Sequence, residues 1–241
     1  MNNRNRSRRN RGQALIITAL IITLMLISTV DYVLETENKT ISIQTTAEPY
    51  FSVAEICTRN TLISALANND STEALTTSLE TLSSILHNYS YDAEFDLSFS
   101  ARTWTSWGED PGVSSAYGIF IVNVSESSAN YSSSYETNIT TTLYINGTCT
   151  VEGSDETVNV MCTVYDENGP TLANRIAILY QNQTDGSWLT VDQQNNNLAT
   201  VDFGNGTYDI SFSAYSQGPV NVSVQINDLR DIFVMANATI Y

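Results

Sequence analysis

The sequence predicts an α+β protein: an N-terminal apolar helix, then a module of helices and antiparallel strands, then an all-β sandwich. Three observations carry this reading. Residues 14–30 hold no charged side chain. Leu75, Leu79, Leu82, Leu86 and Tyr89 fall at spacings of 4, 3, 4 and 3, which line one face of a helix. Beyond residue 90, apolar residues recur at every second position between turn-forming clusters, the period of half-buried strands. The chain divides into a basic leader (1–12), an apolar helix (13–34), a helix-plus-sheet module (35–147) and a sandwich (148–241).

The leader is set apart by charge. Of ten basic residues among 241, five are Arg4, Arg6, Arg8, Arg9 and Arg11. From Gly12 onward, five basic residues stand against all 26 acidic ones, a net of −21. Nucleic-acid binding needs clustered Lys and Arg on the folded part, so that class of partner is set aside. One His and three separated Cys do not supply the ligands of a zinc site, and no metal or cofactor is expected.

The apolar helix comes next. Seventeen uncharged residues at 1.5 Å each reach roughly 26 Å, near the thin end of what crosses a bilayer. Thr18, Thr23, Ser28 and Thr29 can return their hydroxyls to the helix backbone. A buried core helix would not follow five arginines. A cleaved secretory signal would need small residues before the cut, and residues 26–30 offer no such pair. A retained anchor fits, and the positive-inside rule places residues 1–11 in the cytoplasm and 31–241 outside.

Arg9-Asn10-Arg11-Gly12-Gln13-Ala14-Leu15-Ile16-Ile17 resembles the class III signal peptide of archaeal type IV pilins and related surface proteins. The resemblance covers about twenty residues and implies cleavage between Gly12 and Gln13 by a prepilin-type peptidase, with the apolar helix kept. The fifth residue after the cut is Ile17 rather than the Glu typical of bacterial pilins, a departure that weakens the bacterial version and leaves the archaeal one open. A plain uncleaved signal anchor is the alternative.

The outside placement agrees with a dense set of N-x-[ST] acceptors. Beyond residue 31 there are eleven: Asn38, Asn69, Asn88, Asn123, Asn130, Asn138, Asn146, Asn182, Asn205, Asn221 and Asn237. Each is a candidate N-glycosylation site, and a glycan requires solvent. Any one of them is about as readily an unmodified turn or strand residue.

Residues 31–48 continue the anchor helix until Pro49 limits it. Residues 50–67 are loosely helical, and Asp70 with Glu73 forms a capping box for the leucine-striped helix. That stripe is too short for a coiled coil and is expected to pack on a sheet. Phe95, Leu97, Phe99 and Ala101 alternate with polar residues in the first strand. Residues 119–124 are apolar on both faces, as in a central strand. Ile139, Thr141, Leu143 and Ile145 alternate again, and residues 104–112 read as a loop. Helices followed by a small antiparallel sheet make an α+β module, the element order of a type IV pilin head.

From residue 148 only strands are expected: 158–165, 176–180, 188–191, 199–203, 208–214, 220–226 and 232–240. Turn signals separate them at 167–170, 185–186, 204–206 and 218–219. Residues 164–176 followed by Gly206-Thr207-Tyr208-Asp209-Ile210 resemble bacterial and archaeal Ig-like or carboxypeptidase-regulatory-like domains. Such domains serve as stalks and adhesive modules, and the fold specifies no ligand.

Little chemistry is visible. His87, the single histidine, ends the leucine stripe, where it suits the helix dipole. No nucleophile elbow, P-loop or dinucleotide fingerprint appears, so no enzyme is expected. Asp166-Glu167-Asn168-Gly169 and Asp185-Gly186 read first as turns and only second as calcium ligands. Trp104 and Trp107 are expected to cover an edge of the α+β core. A four-residue hairpin loop over 154–157 would set Cys149 opposite Cys162, and a disulfide there would stabilise by roughly 3 kcal/mol. Two buried thiols are an equal alternative. Cys57 is left on a helix.

Together these features lead to the expectation of a membrane-anchored extracellular structural or adhesive protein, a pilin-like subunit that self-associates through its apolar helix. A monomeric cell-surface binding protein is the alternative.

Overall fold

The computed structural model describes residues 47–88, 93–126, 129–152, 155–214 and 218–241. The leader, the 13–34 helix, the Gly12–Gln13 processing site and Asn38 lie outside them. Among the described residues no helix is long and apolar enough to cross a membrane.

Helix α1 (Glu48–Ala67) carries Pro49 in its first turn, where the missing N–H costs nothing. Helix α2 (Thr72–His87) is capped by Ser71, whose hydroxyl oxygen accepts the Ala74 N–H. Asp70, expected as the cap, is one residue too early; Ser71 holds the extended backbone a cap needs. Leu75, Leu79 and Leu86 are buried, so the stripe faces the core.

Strands β1 (Ala93–Ser106), β2 (Gly112–Glu126), β3 (Ala129–Glu152) and β4 (Asp155–Asp166) run as antiparallel neighbours. The two-residue β5 (Gly169–Pro170) also pairs with β4. Then follow β6 (Ala173–Gln181), β7 (Trp188–Thr190), a single turn α3 (Gln193–Asn196), β8 (Ala199–Asp202), β9 (Thr207–Ala214), β10 (Val220–Asp228) and β11 (Phe233–Ile240). One sheet has seven strands in the order β1-β2-β3-β4-β9-β8, with β5 on β4; the other runs β11-β10-β6-β7. The described protein is therefore mostly β, with its helices at the start, and its C-terminal part is a two-sheet sandwich.

Among the described residues, the larger sheet is covered on one face only. At the β1–β3 end, α1 and α2 pack on Phe95, Leu97, Phe120, Val122, Val124 and Ile139. Further along the same face, Leu143 and Ile145 of β3, with β4 and β9, meet the smaller sheet through residues such as Val222, Val224 and Val234. Ile139 and Leu143 differ by four positions and share a face because a strand repeats every two residues. The boundary drawn at 147/148 thus falls inside β3, and the two cores share strands instead of being joined by a linker.

Residues 119–124 lie in β2, a central strand as expected, but its two faces are not packed alike. Ile119 is 40% and Ile121 44% exposed, while Phe120 and Val122 are fully buried. β2 is interior to the sheet, yet only one of its faces is packed. The loop drawn at 104–112 is also shorter, since β1 continues to Ser106 and β2 starts at Gly112.

Candidate functional site

The two cores meet at a seam, and the described charge pairs concentrate there. Asp228 ends β10 with its side chain only 1% exposed. Its Oδ1 accepts the N–H groups of Arg230 and Ile232 at 2.8 and 3.0 Å, which fixes the turn into β11. Its Oδ2 accepts the Thr141 hydroxyl at 2.8 Å and the Arg230 guanidinium at 2.8–2.9 Å. Arg230 also donates to both Glu167 carboxylate oxygens, at 2.9 and 2.7 Å, and to the Thr140 carbonyl at 3.0 Å. Arg59 of α1 reaches Glu167 at 2.8 Å. Four charges from α1, the β4–β5 turn and the β10–β11 turn therefore tie the helical core to the sandwich.

The electrostatics follow from partial burial. Burial alone would raise the Glu167 carboxyl, but hydrogen bonds from Arg230, the Arg230 charge and the Thr140 N–H outweigh it and hold it below its usual value. Burial would lower Arg230, and the Glu167 and Asp228 carboxylates reverse that. Every charge in this group has a partner, so the arrangement holds elements together and offers no reacting group. Reasoning from sequence missed it. The available signal was scarcity: with five cations after Gly12, each buried arginine needs a carboxylate.

Beside this cluster the tryptophan pair divides. Trp107 Nε1 donates to Ser114 Oγ at 2.8 Å, and Ser114 passes a 2.6 Å bond to the Phe233 carbonyl. Its ring meets Phe233 edge-on at 5.0 Å and packs against the sandwich core. Trp104 is 56% exposed on the uncovered face of the larger sheet. The two indoles therefore do not jointly cover the α+β core; Trp104 stands on the outer side of β1, whereas Trp107 lies just past the end of that strand at Ser106.

The disulfide expectation fails on register. Glu152 pairs with Asp155, leaving two residues between the strands instead of four. Cys149 then lies opposite Val158, and Cys162 opposite Ile145. Four residues of strand separate the cysteines' levels, about 13 Å and beyond disulfide reach. All three cysteines are free. Cys162 sits in the sandwich core, where burial pushes its thiol up to about 12. Cys149 Sγ donates to the buried Glu156 at 3.5 Å.

His87 Nδ1 is 2.9 Å from the Phe95 carbonyl oxygen, which ties the end of α2 to β1. Asp166 Oδ1 accepts the Asn168 N–H at 2.7 Å, and Asp185 Oδ1 accepts both the N–H and the hydroxyl of Ser187. Both acidic turns use their carboxylates for turn geometry. Among the described residues no three His, Cys, Asp or Glu side chains gather as metal ligands.

An open depression of about 480 Å³ is lined by Thr142, Tyr144, Thr163 and Tyr165. It lies on the uncovered face, where the Tyr144 and Tyr165 rings meet edge-on at 5.7 Å. The candidate sequons are distributed through the fold. Asn69 and Asn88 follow the two helices, Asn182 and Asn205 lie in turns, and Asn123, Asn130, Asn138, Asn146, Asn221 and Asn237 lie on strands.

No protein-family model matches the chain, and neither the curated proteins nor the solved structures give a match.

Proposed function

We propose that this chain is a membrane-anchored, outward-facing structural protein: a pilin-like subunit or minor pilin that carries an Ig-like sandwich as its C-terminal part. The observation that carries the reading is the N-terminal sequence, five arginines, then Gly12-Gln13, then seventeen uncharged residues. It is supported by the element order that follows: two helices, an antiparallel sheet, then a sandwich. The apolar helices of several subunits pack together as a filament core, and the sheets supply the outer contacts. The prepilin-type peptidase is the processing partner.

The test is the mature N-terminus, read by mass spectrometry on protein from its own cells. The expected first residue is Gln13, and Gly12→Leu should keep the leader attached while insertion persists. An intact Met1 would leave only a plain signal anchor. A cut beyond Val30 would make the chain a secreted protein and end the pilin reading.

A second reading, a monomeric surface-binding protein, is favoured by the open Tyr144–Tyr165 depression. Electron microscopy of sheared surface filaments, labelled for this chain, separates the two.

A further inference from the structure

We propose that the uncovered face of the seven-stranded sheet is a glycan-bearing face, modified on Asn123, Asn130, Asn138 and Asn146. This rests on the outward placement used above and not on filament membership. The three sequon asparagines of β3 fall at 130, 138 and 146, intervals of eight. An even interval keeps all three on one side of a strand, about 27 Å apart at 3.4 Å per residue. The register sets Asn123 of β2 opposite Ser132, two positions from Asn130, and so on the same side. That side is turned away from both cores: Phe120, Ile139 and Leu143 occupy the opposite parity.

The side chains are presented for modification. Asn130, Asn138 and Asn146 are exposed and Asn123 is half-buried. Three of them use the carbonyl oxygen within the protein. Asn123 Oδ1 accepts from Ser132 at 2.8 Å, and Asn146 Oδ1 accepts the Gly147 N–H at 2.8 Å. Asn138 Oδ1 accepts from Ser115 and from Thr140, the hydroxyl of its own sequon, both at 3.3 Å. Modification at Nδ2 preserves all of these bonds. The 3.5 Å bond from Asn123 Nδ2 to Asp96 can also persist, because a linked amide keeps one hydrogen.

The same face carries the apolar groups that a glycan would cover. Tyr117 lies directly opposite Asn138, and Met161, 50% exposed, opposite Asn146. Tyr144 and Ile121 precede Asn146 and Asn123 by two residues, so each stands beside the asparagine on its own strand. A sugar ring on Asn146 would rest on the Tyr144 ring. Uncovered, these side chains form the kind of apolar surface that promotes association.

The smaller sheet differs. Asn221 is exposed, but the hydroxyl residue of its sequon, Ser223, is buried. Asn237 has a buried Oδ1 and packs against Gly108. In the transfer, a bond forms between Asn Nδ2 and C1 of a lipid-phosphate-linked oligosaccharide. The C1–O bond to the lipid phosphate breaks, and the phosphate leaves with the electron pair and takes up the amide proton.

Glycopeptide mass spectrometry on full-length protein from its own cells tests the proposal. Asn123, Asn130, Asn138 and Asn146 should be occupied, and Asn221 and Asn237 bare. Asn138→Gln with Asn146→Gln should lose two glycan masses while the far-ultraviolet dichroism stays unchanged. Bare Asn138 and Asn146 in the native protein, or equal occupancy on both sheets, would overturn it. Bare asparagines with this face buried between copies would replace it with an assembly surface. Occupied sites on a protein that never enters filaments would leave this inference standing and remove the pilin reading; bare sites on a filament subunit would do the reverse.

Discussion

Arg230 illustrates how much a single side chain can hold in a chain poor in cations. Among the described residues it is the only cation paired with Asp228, and Asp228 lies in the seam with its side chain 1% exposed. Removing the guanidinium leaves that carboxylate buried with only N–H and hydroxyl donors, so Arg230→Ala should cost about 3 kcal/mol or more in urea unfolding. Replacing the carboxylate as well, with Asp228→Asn, should recover part of the loss. Glu167 makes the same cluster sensitive to acid. Its carboxyl is held below the ordinary 4.5. Its contribution is therefore complete above that pH and is lost as the pH falls through the lower folded value. Thermal melts between about pH 3 and pH 6 should show the parent and Glu167→Gln converging on the acid side. Convergence on the alkaline side instead would contradict the assignment. At the cysteines, alkylation under denaturing conditions without reductant should label all three thiols. Native Cys162 should stay unlabelled, because burial both hides it and pushes its thiol up to about 12. A mass two hydrogens low would restore the disulfide. Asp228 and Arg230 are two residues apart in one turn, but the bonds that Arg230 makes to Glu167 and Thr140 were not legible in the sequence, because only the fold brings those residues together.

Elements were legible where one face is greasy and the other wet. The α2 stripe and the alternation of β9 and β10 read directly from their periods, because a single buried face writes a single pattern. The first half of β3 did not. Its Ser132, Ser133, Ser134 and Glu136 look like loop, yet its inward side holds Tyr135, whose ring stacks on Phe120 at 5.4 Å and whose hydroxyl meets Thr58 of α1 at 3.0 Å. Tertiary contacts made a strand that propensity did not announce. The cysteine register failed for a related reason: loop length fixes pairing, and a two-residue connection cannot be told from a four-residue one by composition. Two substitutions test the packing of these elements. Leu79→Ala in α2 should cost about 3 kcal/mol, because the side chain is fully buried against the sheet. Gly112→Ala should cost about 2 kcal/mol despite its small size. A Cβ there would stand 2.1 Å from the Met235 carbonyl oxygen, where β2 passes β11 at the seam, and backbone cannot yield as a side-chain tip can. An unchanged melting temperature in Gly112→Ala would mean that the two sheets are not in contact at that point.

For the molecule as a whole, charge and apolar surface argue in opposite directions, and the balance predicts where association starts. Everything after Gly12 carries five basic against 26 acidic residues. Such an excess opposes close approach of like copies, and it does so over about 10 Å at 0.1 M salt. The uncovered face, with Ile119, Ile121, Tyr144, Met161 and Tyr165 all exposed, pulls the other way. At low salt the charge term acts at longer range than the apolar contact, so the folded part by itself should remain monomeric. A fragment of residues 43–241 retains both cores and starts ahead of Ala47, which is 2% exposed and belongs inside the folded unit. Sedimentation should find that fragment, produced without glycans, monomeric at low ionic strength. Raising salt should then allow weak association through the uncovered face, and Ile121→Ser with Met161→Ser should abolish it. The processed full-length chain should assemble under both conditions, because its apolar segment is driven by surroundings that salt does not screen. Within that segment Thr18 and Ala19 are small enough for close helix contact, so replacing both with Leu should weaken assembly while leaving insertion intact. A fragment that forms large oligomers at low salt would shift the driving force from the helix to the sheet, and the uncovered face would then be the primary subunit contact.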